Sequence, residues 1–204
     1  MYRSLEYYFS KFLKKMKRKA VKNSTIDRTS KIEAGSTVLN SVFEKHSYCG
    51  YNCTILNAKI GAFCSIADNV LIGQASHSME RVSTSPVFRA GKDSVKKKFA
   101  LYPMESLKTT MIGNDVWIGE GVKIKSGVVI GDGVVIGMGS VVTKNLIDYG
   151  IYAGNPAKLI RMRFSDDIIK EFTKIKWWNF SDEELQKYAK YFDKPLLFIE
   201  EYKK

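Results

Sequence analysis

Between Ile112 and Val142 a branched aliphatic residue returns at every sixth position: Ile112, Ile118, Ile124, Ile130, Ile136 and Val142. Four places after each of these come Val116, Val122, Val128, Val134, Ser140 and Leu146, and glycine fills many of the slots between, from Gly113 to Gly139. A period of six matches neither a helix of about 3.6 residues per turn nor a simple alternating strand. It belongs to short strand segments joined by tight turns, where glycine supplies positive φ at low steric cost. One such repeat cannot bury its apolar edge alone, so coils must stack and share a continuous core.

The same spacing starts earlier, at Ile26, Ile32 and Val38. It slips by one residue, reappears at Cys49 and Ile55, slips again, and settles at Ile60, Ile66 and Ile72. The forty residues from Ile72 to Ile112 are not a multiple of six, so residues 73–111 read as an inserted loop. A loop of that length is usually functional. Residues 1–22 read as a basic amphipathic helix, residues 23–156 as the solenoid, and residues 157–204 as a helical cap. Within the cap, Ser165 ahead of Asp166 and Asp167 opens one helix, and the capping box Ser181-Asp182-Glu183-Glu184 opens a second. A cap is expected because an uncovered last coil is an exposed strand edge.

The net charge of +12, from 33 basic and 21 acidic residues, is that of a solvated, lysine-rich surface with one dense cluster from Lys11 to Lys22. That cluster fits a helix packed on its own protein or a neighbouring subunit; the alternative is weak peripheral association with an anionic membrane. No nucleic-acid motif accompanies the charge, so no nucleic-acid partner is expected. No run of about 18 apolar residues spans a bilayer, and the expected location is cytoplasmic. Cys49, Cys53 and Cys64 fall on inward slots of the repeat and lack metal-ligand spacing, so they read as buried thiols, with no metal.

Four segments carry a family resemblance: Ile112-Gly-Asn-Asp-Val-Trp-Ile-Gly119, Gly154-Asn-Pro-Ala-Lys158, Arg163-Phe164 followed by Trp177-Trp178, and His77-Ser-Met-Glu-Arg-Val-Ser-Thr-Ser-Pro86. In this order they resemble the hexapeptide-repeat acyltransferases, and within them the branch of the xenobiotic (chloramphenicol and streptogramin) acetyltransferases. The resemblance implies an all-β solenoid with helical appendages, a left-handed parallel β-helix of hexapeptide repeats. It also implies acetyl-CoA as co-substrate and a homotrimer with active sites between subunits.

It further implies transfer of the acetyl group to a hydroxyl in a ternary complex, with His77 as general base. An alcohol is a poor nucleophile at neutral pH, and an imidazole, with an ordinary pKa of about 6.5, is suited to taking its proton. The second ring nitrogen needs an acceptor, and Glu80 and a backbone carbonyl are both candidates. Position against related enzymes places Glu120, Met138, Thr143, Lys144 and Lys158 at the cofactor, the lysines as partners for its phosphates. Arg81 and Trp117 are candidates for the acceptor. Arg81 stands where the branch has an apolar tryptophan, and the tyrosine-rich drug-pocket segment is not recognisable. These departures favour a saccharide acceptor, of a surface polysaccharide or its precursor, over an antibiotic. An amino-sugar acceptor and a non-catalytic β-helix scaffold are the other readings.

Overall fold

A computed structural model describes residues 5–74, 77–104 and 108–204 of the chain. Residues 1–4 of the expected first helix, and 75, 76 and 105–107 of the expected loop, lie outside the described residues. The chain winds into a left-handed β-helix with three parallel sheets as the faces of a prism. Face A stacks Ala20–Lys22, Thr37–Leu39, Thr54–Leu56, Leu71–Gln74, Lys123–Lys125 and Val141–Val142. Face B stacks Thr25–Ile26, Val42–Phe43, Ala58–Ile60, Thr110–Ile112 and Val129–Ile130. Face C runs from Lys31–Ile32 through Tyr48–Cys49, Ser65–Ile66, Trp117–Ile118 and Val135–Ile136 to Gly150–Ala153.

The sixfold positions point inward: Ile112, Ile118, Ile124, Ile130 and Ile136 are each at most 4% exposed. The two slips have one cause. Ala20 pairs with Thr37, Thr37 with Thr54 and Leu71 with Thr54, so each early coil takes seventeen residues. The missing residue always comes out at the edge between faces A and B, where Asn40 and Asn57 turn the chain at φ 49 and 48. Asparagine is among the few non-glycine residues that tolerate this left-handed region. The inward residue after Val38 is therefore Phe43, five positions on and 1% exposed, a core residue that a strict sixfold count passes over. From Lys123 to Val141 the coil takes a full eighteen.

The buried polar groups are satisfied by a ladder inside the turns. Ser36 Oγ donates to the Gly50 carbonyl and accepts from the Cys53 amide, and Ser47 Oγ does the same with Gly61 and Cys64. Cys53 and Cys64 continue this ladder, their sulfurs 3.1 Å from the Ala67 and Gly113 carbonyls. Burial pushes the Cys64 thiol up to about 12, away from the reactive thiolate.

Three boundaries differ from the sequence expectation. The first helix, α1 (Leu5–Met16), ends before residue 22, because Ala20–Lys22 already pairs into face A. The insertion is shorter than 73–111, since face A keeps the chain to Gln74 and Thr110 rejoins face B. The segment after residue 156 does not begin as a helix: Lys158–Met162 pairs antiparallel with Gly150–Ala153 and covers the last strand of face C. Three helices, not two, then follow: α2 (Asp166–Ile175), α3 (Asp182–Tyr188) and α4 (Pro195–Tyr202). They pack on the edge between faces B and C, against Phe63 and Tyr149, rather than over the end of the prism. Among the described residues no helix is long and apolar enough to cross a membrane.

Replacing Ile130 by Asp should destabilise the protein by about 4 kcal/mol, because the carboxylate enters the core with no partner. Chemical denaturation of the purified variant measures this; a midpoint equal to that of the parent would place Ile130 outside the core.

Candidate active site

His77 lies just beyond the point where the chain leaves the prism, at the edge between faces A and B. Gly73 makes the exit: its φ is 72, and a Cβ there would be driven into the Leu56 carbonyl of the preceding coil. Only glycine fits both conditions. The loop then folds on itself. The Phe99 amide donates to Val87 O, the Ala90 amide to Tyr102 O, each at 2.8 Å, and Lys98 Nζ joins the Pro86 carbonyl to Asp93. Among the described residues, every hydrogen bond made by residues 77–104 is internal to the loop.

The His77 Nδ1 atom is 2.6 Å from the Thr84 carbonyl oxygen. A carbonyl only accepts, so Nδ1 carries the proton and Nε2 is left as the basic nitrogen. Of the two candidate orienting partners, the backbone carbonyl is the one in contact with the ring. Glu80 is exposed and makes no hydrogen bond among the described residues. The Thr84 carbonyl is presented by a tight turn, Pro86–Phe88, capped by Ser85. That Ser-Pro signal was present in the sequence, but nothing there linked it to the imidazole.

Arg81 also serves the loop: its Nη2 donates to the Pro103 carbonyl at 3.0 Å, and its guanidinium lies 5.7 Å from the Tyr102 ring centroid. Trp117 projects from face C, exposed, between Ser65 and Val135. Face C is opposite the edge from which the loop departs, so Trp117 and the root of the His77 loop lie on different sides of one chain's prism.

The five cofactor candidates flank face A without converging. Glu120 and Met138 stack on the edge between faces C and A, where the Gly139 amide donates to the Glu120 carbonyl at 2.8 Å. The Glu120 side chain accepts from Asn69 Nδ2 at 3.1 Å. Thr143 and Lys144 follow Val141–Val142 on the opposite edge, two coils along from the loop's exit. Lys158 opens the antiparallel strand, paired with Ala153. Both lysines are exposed, and neither makes a salt bridge among the described residues. Among the described residues no group of three His, Cys, Asp or Glu side chains gathers as a metal would require.

The remaining motif residues tie neighbouring coils together and hold the tail to the prism. Asn114 accepts from the Ala62 amide, and its own amide groups reach Asp132 Oδ1, at 2.6 Å from the backbone nitrogen. Gly113 is glycine because a Cβ there would come within 2.6 Å of that same oxygen. Arg163 Nη1 donates to Asp115 Oδ2 at 2.9 Å and to the Gly133 carbonyl at 2.7 Å. His46, at φ 57, lies with its ring tilted by 34° against Phe63, centroids 4.9 Å apart, beside the tail, which fits a structural histidine. A cavity of about 230 Å³ among Tyr149, Arg163, Phe172 and Trp177 holds none of the candidate catalytic or cofactor residues.

With this geometry in place, the comparisons identify the lineage. Residues 109–144 match the family model described as bacterial transferase hexapeptide (six repeats). A probable macrolide acetyltransferase of Lysinibacillus sphaericus is 45% identical over 130 residues, 62% of this chain and 71% of that protein. A chloramphenicol acetyltransferase of Klebsiella aerogenes is 39% identical over 130 residues, 62% of this chain and 61% of that enzyme. Among solved structures, a mutant of the Bacillus cereus N-acyltransferase AntD, with a dTDP-amino sugar and coenzyme A, superposes with a TM-score of 0.60 at 18% identity. That superposition covers 85% of this chain and 97% of AntD, and shows the shared fold. The chain belongs to the hexapeptide-repeat acyltransferases. Its place among them is in the branch of the chloramphenicol, macrolide and streptogramin acetyltransferases.

Burial raises the Asp115 pKa, and Arg163 only partly pulls it back. A carboxyl with a raised folded-state pKa contributes most below the ordinary aspartate range, and that contribution is lost as pH rises through the folded value. Arg163→Leu should therefore cost about 2 kcal/mol at neutral pH and distinctly less as the pH falls toward and below the ordinary aspartate range, where the Asp115 carboxyl takes up its proton. Denaturation midpoints of both proteins across that window test the sign; a deficit independent of pH would mean Arg163 acts through packing alone.

Proposed function

We propose that this protein is an acetyl-CoA-dependent O-acetyltransferase that acts in the cytoplasm on a hydroxyl of a saccharide, a surface polysaccharide or its precursor. The observation that carries the mechanism is the 2.6 Å contact from His77 Nδ1 to the Thr84 carbonyl, which leaves Nε2 as the base. Nε2 takes the acceptor hydroxyl proton as that oxygen bonds to the thioester carbonyl carbon. The carbon–sulfur bond then breaks, and the coenzyme A sulfur leaves with the proton returned by His77. Direct transfer is supported by the cysteines, all three of which are buried in the core.

Acetyl-CoA is held along the prism beside face A. Glu120 and Met138 contribute backbone, Thr143 its hydroxyl, and Lys144 and Lys158 meet the phosphates. These two lysines sit on opposite edges of face A, an arrangement that suits a groove completed by two chains. The His77 loop supports the same homotrimer. Among the described residues the hydrogen bonds of 77–104 are internal, and the loop exposes Met79, Val82, Phe99, Leu101 and Met104, apolar surface suited to a neighbouring prism. In such an assembly Trp117 of one subunit is available to the loop of the next, as a wall for the acceptor. Glu80 and the donors of Arg81 other than Nη2 are offered to sugar hydroxyls or a carboxylate.

The second reading is a hydroxyl of an antibiotic, favoured by the 45% identity to a probable macrolide acetyltransferase and by exposed Met79 and Val82 beside His77. An assay with acetyl-CoA against nucleotide sugars, oligosaccharides, macrolides, streptogramins and chloramphenicol separates the two. Turnover of a saccharide is expected, by a species that light scattering finds to contain three chains. Turnover of a drug alone would transfer the assignment to the second reading.

On the true acceptor, His77→Ala should lower kcat by about 10²–10⁴-fold with acetyl-CoA affinity nearly intact, because a base acts on the transition state. Glu80→Gln should retain the pH profile of the parent. Near-parental turnover in His77→Ala would remove that residue from the mechanism. Lys158→Ala, and more weakly Lys144→Ala, should raise the KM for acetyl-CoA, and added salt should shrink the effect as ions screen the phosphate contact. Unchanged KM in both variants at low salt would make them ordinary surface lysines.

A further inference from the structure

Helix α1 is attached to the prism by the wrong face for a helix that packs on its own protein. Leu5, Phe9, Phe12 and Met16 recur at helical spacing and form one stripe, flanked by Tyr8 and Leu13. Lys14 lies nine residues, two and a half turns of about 3.6 residues, beyond Leu5 and so on the opposite side. It is Lys14 that meets the prism: its Nζ is 2.9 Å from Asp68 Oδ2 and 3.9 Å from the Tyr51 ring centroid. Lys17 adds a contact to Asn52. The apolar stripe points the other way, with Leu5 87%, Phe9 62%, Phe12 59% and Met16 61% exposed, and no residue of the helix is buried.

Burial of an apolar stripe is what ordinarily holds a short helix in place, so one turned outward needs an occupant. The charge around it selects which. From Leu5 to Lys22 there are seven basic residues and a single acidic one, Glu6. Two copies of this segment brought together repel one another. An anionic bilayer surface offers the opposite charge to Lys11 and Lys15, which border the stripe, and an apolar layer for the stripe itself.

We propose that α1 is a membrane-surface anchor: its aromatic and aliphatic stripe inserts among the acyl chains of an anionic lipid leaflet, while Lys14 holds the prism beneath it through Asp68 and Tyr51. The inference rests on α1 alone and is independent of the acceptor. Because the stripe is fully outside the core, substitutions in it should leave folding and acetyl transfer in solution unchanged.

Sedimentation of the full chain with vesicles tests it. The parent is expected to bind vesicles containing phosphatidylglycerol, to ignore vesicles of phosphatidylcholine alone, and to be released by salt. Phe9→Ser with Phe12→Ser should weaken binding by more than about tenfold, and Lys11→Gln with Lys15→Gln by about tenfold, with unchanged thermal unfolding in both. Lack of sedimentation by the parent, equal binding to neutral vesicles, or full binding by the Phe9/Phe12 variant would each overturn the proposal. So would a loss of mass by light scattering in that variant together with no lipid binding by the parent, which would assign the stripe to a second copy.

Discussion

The structure depends on one constraint: each coil must hydrogen-bond to the next in register along three faces while its inward residue stays in line with those above and below. The stacked ladder of Ile55, Ile72, Ile124 and Val142 on face A shows the result, each residue at most 2% exposed. Parallel pairing is a long-range contact whose closure entropy is repaid only when the core fills. The chain meets this cost with monotony, repeating one branched side chain per face, and with local turns that cost little. Everything chemical is then hung on edges, where side chains are free of the stacking rule.

Much of the architecture was legible because its period is so unlike that of a helix or a flat sheet. The sixfold isoleucines, the inward cysteines and the place of the insertion all follow from spacing. The slips were legible as slips and not as geometry, because a count of six cannot know that one edge closes in five residues when asparagine takes the left-handed turn. Phe43 was lost for that reason. The strand Lys158–Met162 escaped as well, since its apolar residues alternate too weakly to announce an antiparallel partner. Its course is set by the uncovered edge of Gly150–Ala153, a tertiary demand.

The site was legible in parts. His77 stood out through its position and its motif, and the geometry adds what spacing lacked, a Thr84 carbonyl within 2.6 Å of its Nδ1. A backbone carbonyl has no letter in the sequence, so a reading of side chains turns to Glu80 first. Arg81 illustrates the converse: its charge suggested an acceptor ligand, but a guanidinium has several donors, and one of them is committed to Pro103. For the cofactor candidates, alignment supplied positions while the prism supplies their separation, with face A lying between the two lysines.

The edge where faces A and B meet closes in five residues at Asn40, in six between Ile124 and Ile130, and with the whole loop after Gln74. The coils on either side stay in register through all three lengths, as the pairing of Thr110 with Ala58 shows. This makes the edge a splice junction. Residues 77–104, whose hydrogen bonds among the described residues are all internal, are exchangeable without renegotiating the core. Lineages built on this prism are thereby free to diversify what they recognise while the scaffold that presents it stands still.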